Sequence, residues 1–152
     1  MSSRTGAPPA HTANTKRANL KRLLWLTPIA AFAAIGVNLL VRAIARGVFD
    51  DISDDFQPFS AQAIVFWSII GTIAAAAVFV LVARSSPHPI ERYRTIAIVA
   101  LVLSLIPDVL LWITKPEGVP GVTGSAIAAL MVMHVVVAAI CVGLFTTFSQ
   151  ER

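Results

Sequence analysis

The sequence predicts an all-α protein, an antiparallel four-helix transmembrane bundle. Hydrophobic residues make up 57% of the 152-residue chain and charged residues only 13%, with a mean hydropathy of +0.78. A soluble domain carries about 25% charge. The apolar residues gather into four blocks, 23–45, 63–83, 95–113 and 127–148. Each meets the roughly 20 residues needed to cross a hydrocarbon core of about 30 Å. No stretch is left over for a soluble core, so residues 20–150 read as one four-helix membrane domain.

Residues 1–19 are rich in Ser, Thr, Ala and Pro without apolar periodicity, and read as a disordered basic tail. Ala31-Phe32-Ala33 resembles a signal-peptide cleavage site, but the apolar run continues to Ala45, which a cleaved signal would not need. The charge is asymmetric. Arg4, Lys16, Arg17, Lys21, Arg22, Arg84, Arg92, Arg94 and Arg152 fall on one side of the four spans, against Arg46 and Lys115 in the other two loops. Cytoplasmic segments carry the excess of Lys and Arg, so both termini are expected in the cytoplasm. The basic side then faces anionic lipid headgroups. It is no sign of nucleic-acid binding, because no soluble module presents it.

The first external loop, GVFDDISDDFQPF, places Phe49, Ile52, Phe56 and Phe59 on one side of a helical plot and Asp50, Asp51, Asp54 and Asp55 on the other. That pattern suits a short interfacial helix with its phenylalanine side on the outer leaflet. The four carboxylates lack the Gly and the final Glu of an EF-hand loop, and read as a solvated face. In the internal loop, RSSPHPIERYR, two prolines end the second span and Tyr93 suits an interfacial anchor, as do Trp25 and Trp112 near span ends. The second external loop, TKPEGVPGVTG, reads as a turn-rich connector.

The polar residues inside the spans are the candidate site. Ionisable groups at mid-membrane cost about 2.5–3.5 kcal/mol each and turn toward the bundle interior. Arg42, Asp108 and His134 are of this kind, with Asn38, Ser68 and Ser104 as uncharged companions. Ala31, Ala34, Asn38 and Arg42 form one stripe. Ala97, Ala100, Ser104 and Asp108 form another, with Ser68, Gly71, Thr72 and Ala75 on the second span and His134, Ala138 and Cys141 on the fourth. Small residues allow close approach of helices, and polar ones bond across the contact. At 1.5 Å per residue, Asn38, Ser68, Asp108 and His134 all lie roughly 20–22 Å from the cytoplasmic edge. Arg42 lies higher, but helical side chains lean toward the amino terminus, which favours a buried Arg42–Asp108 pair over an outward reach to headgroups. Pro107 removes one backbone hydrogen bond beside Asp108 and is expected to kink the third span.

At these residues the chain resembles a group of small four-helix bacterial membrane proteins, domain of unknown function 6069. The resemblance covers roughly residues 20–150. It rests on a polar residue late in span one, the S-L-x-P motif Ser104-Leu105-Ile106-Pro107, and Met133-His134 followed by an apolar run. It implies the four-helix architecture and a bacterial plasma-membrane location, and brings no activity.

The remaining chemistry is negative. The single cysteine, Cys141, excludes an internal disulfide and a CxxC redox pair, and reads as a packing residue. There is no phosphate-binding Gly loop, H-E-x-x-H, nucleophile elbow or internal repeat. His134 with one buried Asp falls short of a metal site, so no cofactor is expected and an enzyme is the weakest reading. The leading one is a non-enzymatic structural or regulatory membrane protein, possible as a homo-oligomer. The alternative is a small transporter or proton-linked carrier using the polar cluster. Reporter fusions after residues 60 and 120 should read as external, and fusions after residue 90 and at the carboxyl end as cytoplasmic. An external reading at the carboxyl end would refute the orientation.

Overall fold

The structure is a computed structural model that describes residues 20–148. The expected tail at 1–19 and the last four residues lie outside the described residues. Four helices follow one another: α1 (Leu20–Val48), α2 (Ala61–Ser85), α3 (Pro89–Thr114) and α4 (Gly124–Phe148). A three-residue 3-10 turn, Gln57–Phe59, precedes α2. Among the described residues there is no strand, and all four helices are long and apolar enough to cross a membrane. Each helix extends a few residues beyond its predicted span, α4 at its amino end only. Ser60 Oγ accepts the Ala63 N–H and Thr123 Oγ1 accepts the Ala126 N–H. Pro89 opens α3, where its missing N–H costs nothing.

The helices pack as an antiparallel square. Each of α1 and α3 contacts both α2 and α4, and α2 and α4 also touch across one diagonal, while α1 and α3 stand at opposite corners. The inward stripe of α1 runs through Leu23, Ala30, Ala34, Asn38 and Ala45. On α4 it runs through Ile127, Leu130, Met133, Cys141 and Phe145. Steps of three and four residues keep each stripe on one face. On α3 only Tyr93 and Asp108 are buried, and half-buried Ala97, Leu101, Ser104 and Leu111 complete the stripe. Ala100, expected inward, is exposed. Pro107 points outward from an α3 that runs unbroken from Pro89 to Thr114.

The interior divides into two apolar clusters. One gathers Leu23, Ala30, Ala76, Phe79, Val82, Tyr93, Cys141 and Phe145 at the end bearing the α2–α3 loop. Tyr93 is only 2% exposed and stacks edge-on to Phe79 at 5.0 Å, with Phe145 beside both. Its expected role as a lipid-interface anchor is therefore corrected: three aromatics close this end from inside. Trp25 and Trp112 are exposed, as anchors require.

The other cluster joins Ala45, Ile64, Ala126, Ile127, Leu130 and Met133 to Phe56 and Phe59, both with no exposed surface. This corrects the amphipathic helix expected in the acidic loop. Among residues 49–59 only the turn Gln57–Phe59 is helical, and Phe56 and Phe59 plug the bundle instead of resting on lipid. The plug is possible because the α3–α4 loop comes over it. Gly121 has φ +77°, and a Cβ there would meet Ser53 Cβ at 3.0 Å, Phe56 Cβ at 3.1 Å and Phe56 N at 3.2 Å. Asp51 accepts a hydrogen bond from the Ser125 hydroxyl, and Asp54 pairs with Arg46.

Gly121→Ala should therefore lower stability by about 2 kcal/mol or more, from left-handed strain plus overpacking. Gly118→Ala, whose Cβ would meet nothing within 4 Å, should leave the midpoint of thermal unfolding in detergent unchanged. Equal midpoints for the two variants would remove the loop-on-loop packing.

Candidate functional site

The polar side chains form a layer between the two apolar clusters. On α1, Asn38 is 3% exposed and donates from Nδ2 to Ser68 Oγ of α2 at 3.0 Å. On the other side of the bundle, His134 Nδ1 of α4 lies 3.2 Å from Asp108 Oδ2 of α3. The same nitrogen is 2.9 Å from the carbonyl of Leu130, one turn back along α4. The two pairs are level. The site of a Cβ on Gly71 lies 3.6 Å from Val137 Cγ1 across the α2–α4 diagonal. Ser68 and His134 each sit three residues from that contact, about 4.5 Å, on helices running the same way. Four residues on four helices thus stand at one level of the bundle.

Two of the six expected members do not join. Ser104 is half-buried and spends its hydroxyl on Leu101 O of its own helix at 2.7 Å. Arg42 does not meet Asp108. Its Nε donates to Phe59 O at 3.0 Å, and the carboxylate of Asp108 lies beside His134 instead. The reason is topological. α1 and α3 stand at opposite corners, with the α2–α4 contact between them, so no side-chain lean on α1 brings Arg42 to α3. Arg42 instead ties α1 to the plug that the Phe59 turn forms. The half-buried guanidinium thereby satisfies a carbonyl that ends a 3-10 turn.

Sequence reasoning missed the plug residues Phe56 and Phe59 and the ties Arg46–Asp54 and Asp51–Ser125 around them. The signal was present in Pro58 between two phenylalanines and in the glycine-rich second loop, which together favour a compact turn over a helix. Thr72 and Cys141, placed by the sequence on inward faces, lie together across α2 and α4 beneath the layer, and the Thr72 hydroxyl donates to Ser68 O at 2.7 Å.

The layer is not fully satisfied. Asn38 Oδ1 and Asp108 Oδ2 are buried without a hydrogen bond of good geometry. His134 Nδ1 is close to Asp108 Oδ2 but is directed at Leu130 O. Turning the Asn38 amide over would only exchange which of its ends is orphaned. Among the described residues no three His, Cys, Asp or Glu side chains group as metal ligands.

Four apolar helices around a buried polar layer define the class, a multi-pass helical membrane protein. Residues 18–150 match the family described as a family of unknown function, DUF6069, and the chain belongs to that family. No curated protein and no solved structure matches it.

The arrangement predicts which charge pairs are coupled. Arg42→Gln and Asp108→Asn should be additive within about 0.5 kcal/mol in a double-mutant cycle read by thermal unfolding. Asp108→Asn with His134→Gln should show a coupling above that. Coupling in the first cycle and none in the second would reverse the assignment.

Proposed function

We propose that this chain is a non-enzymatic membrane protein with a structural role, in which the polar layer fixes the register of four helices. The observation that carries this reading is the pairing itself. Asn38 with Ser68 joins α1 to α2, and Asp108 with His134 joins α3 to α4. Asn38, Ser68 and Asp108 are each more than nine-tenths buried. Helices in lipid gain no hydrophobic energy from each other, so buried cross-helix bonds and close packing select one arrangement. The same reading seats the loop carrying Arg84, Arg92 and Arg94 at the cytoplasmic face of the plasma membrane. Anionic headgroups would lie against it, and the termini would be on that side.

A second reading, a small proton-linked carrier, is favoured by one observation. Asn38 Oδ1 and Asp108 Oδ2 keep acceptor capacity free inside the bundle, which a purely structural layer has no need to leave open.

The two readings separate on stability against flux. For the structural role, Asn38→Ala and Ser68→Ala should each destabilise the protein in detergent. Their coupling should fall near the about 0.6 kcal/mol average for membrane hydrogen bonds, up to about 1.7. Proteoliposomes of the wild-type chain should show no proton uptake under a potassium diffusion potential. Proton uptake abolished by Asp108→Asn in a folded protein would replace the structural reading with the carrier.

A further inference from the structure

Two arginines stand one turn apart near the loop end of α1, and only one of them has a counter-ion. Arg46 pairs with Asp54. Arg42 makes a single hydrogen bond, from Nε to Phe59 O at 3.0 Å, and no carboxylate of a described residue comes within ion-pair reach of it. A guanidinium does not shed its proton, so the charge is permanent within the apolar block 23–45. The two terminal amino groups make no hydrogen bond to a described residue and are not among the buried unpartnered atoms. They therefore open on the surface of the bundle, and the Nε contact fixes the plane of the fork.

We propose that Arg42 holds the phosphodiester of a membrane phospholipid in the leaflet bordering the acidic loop. The level fits. With 29 residues α1 measures about 43 Å, and a bilayer with its headgroup zones is about 40–45 Å thick. Arg42 lies six residues before the end of α1, about 9 Å, at the inner edge of the headgroup zone. Its Nε reaches a carbonyl two residues before α2 begins. A guanidinium offers parallel N–H bonds to two oxygens of one phosphate, which matches the free side of this fork. The bound phosphate is also the missing counter-ion, and a charge in a span without one is costly.

The surroundings favour a lipid over a free anion. At 100° per residue, Phe32, Gly36, Leu39 and Ala43 share the outward flank of α1 with Arg42. All four are apolar, Leu39 is half-buried and the others are exposed, and a Cβ on Gly36 would meet nothing within 4 Å. An acyl chain has room to lie there below its phosphate. On the water side the loop carries Asp50, Asp51, Asp54 and Asp55, all exposed, and their field repels an anion arriving from solution. The amino-terminal end of the α2 dipole, two residues beyond Phe59, adds positive field beside the guanidinium. The loop with Arg84, Arg92 and Arg94 is at the other end of the bundle, so this lipid is not the one that its basic side chains face.

This site goes beyond the structural reading and does not depend on it, because Arg42 takes no part in the polar layer. The full chain in detergent is titrated with phosphatidylglycerol, and separately with diacylglycerol of the same acyl chains, and bound lipids are counted by native mass spectrometry. The wild type should hold one phosphatidylglycerol more than Arg42→Gln holds. Its affinity for that lipid should exceed its affinity for diacylglycerol by about tenfold or more. Arg46→Gln, which removes a charge that Asp54 already answers, should bind like the wild type. Arg42→Lys keeps the charge, and its one nitrogen can still meet Phe59 O but cannot also present a fork. It should keep the thermal midpoint of the lipid-free protein and still lose several-fold in lipid affinity. Equal lipid counts in the wild type and the Arg42 variants, or diacylglycerol bound as well as phosphatidylglycerol, would overturn the site. Displacement of the lipid by millimolar inorganic phosphate would overturn it too, in favour of a free anion. If Arg42→Gln does not fold, Arg42→Lys and the diacylglycerol arm decide.

Discussion

A carboxylate, an imidazole, an amide and a hydroxyl lie in one layer where the surroundings are otherwise hydrocarbon, and that layer constrains everything around it. Helix packing in lipid lacks the driving force that assembles a soluble core, so the apolar clusters on either side of the layer would tolerate several rotations of each helix. The layer does not. Turning α3 by one residue, about 100°, would carry Asp108 out to the lipid, at a cost of about 2.5–3.5 kcal/mol. It would also leave His134 facing an apolar side chain. The same rotation of α1 would orphan Ser68. Small residues then become possible where they stand. Ala30, Ala34 and Ala76 are buried because the polar contacts hold the backbones close.

The two ends of the bundle are closed by different means. At the end bearing the α2–α3 loop, Phe79, Tyr93 and Phe145 come from three helices and fill the space between them. At the other end no helix supplies a buried aromatic among the described residues. The chain between α1 and α2 folds inward so that Phe56 and Phe59 do so, and Arg42 holds the turn by its carbonyl. The acidic side chains of that loop are left outside. There Asp54 meets Arg46, and Asp51 meets Ser125 in the first turn of α4, where negative charge also suits the helix dipole. An exposed pair of this kind contributes little by itself. Its effect is to keep a short loop over a buried plug.

The helices were legible because length and apolarity alone identify them, and the polar layer was legible because ionisable residues in a span have few places to go. Counting 1.5 Å per residue put Asn38, Ser68, Asp108 and His134 at similar depths, and the structure brings Asn38 to Ser68 and Asp108 to His134. What could not be read was which residue met which. Four level residues allow three pairings, and the choice depends on which helices are diagonal. A sequence of four equal spans does not encode that. The Arg42–Asp108 pair was argued from the lean of helical side chains, a local rule, and failed on the global fact that α1 and α3 do not pack. The acidic loop failed similarly. Its amphipathic spacing was real, but the apolar face found a bundle mouth instead of a leaflet.

The diagonal contact gives the layer a way to act as one unit. Each half of the bundle, α1 with α2 and α3 with α4, owns one polar pair. The halves meet along α2 and α4, where Gly71 admits Val137 and Thr72 meets Cys141. Ser68 stands one turn above that seam on α2, bonded to Asn38 through its hydroxyl and to Thr72 through its backbone carbonyl. His134 stands one turn above it on α4. Any disturbance of His134 acts first on the grip between α3 and α4, because its neighbour Asp108 stands on α3. It also acts on α4 itself, since Nδ1 is bound to the carbonyl of Leu130, a residue packed in the cluster beneath the plug. Because α4 packs against every other helix, a shift of α4 cannot stay local. The element most exposed to it is the mouth formed by Phe56 and Phe59 against Ala126, Ile127 and Leu130.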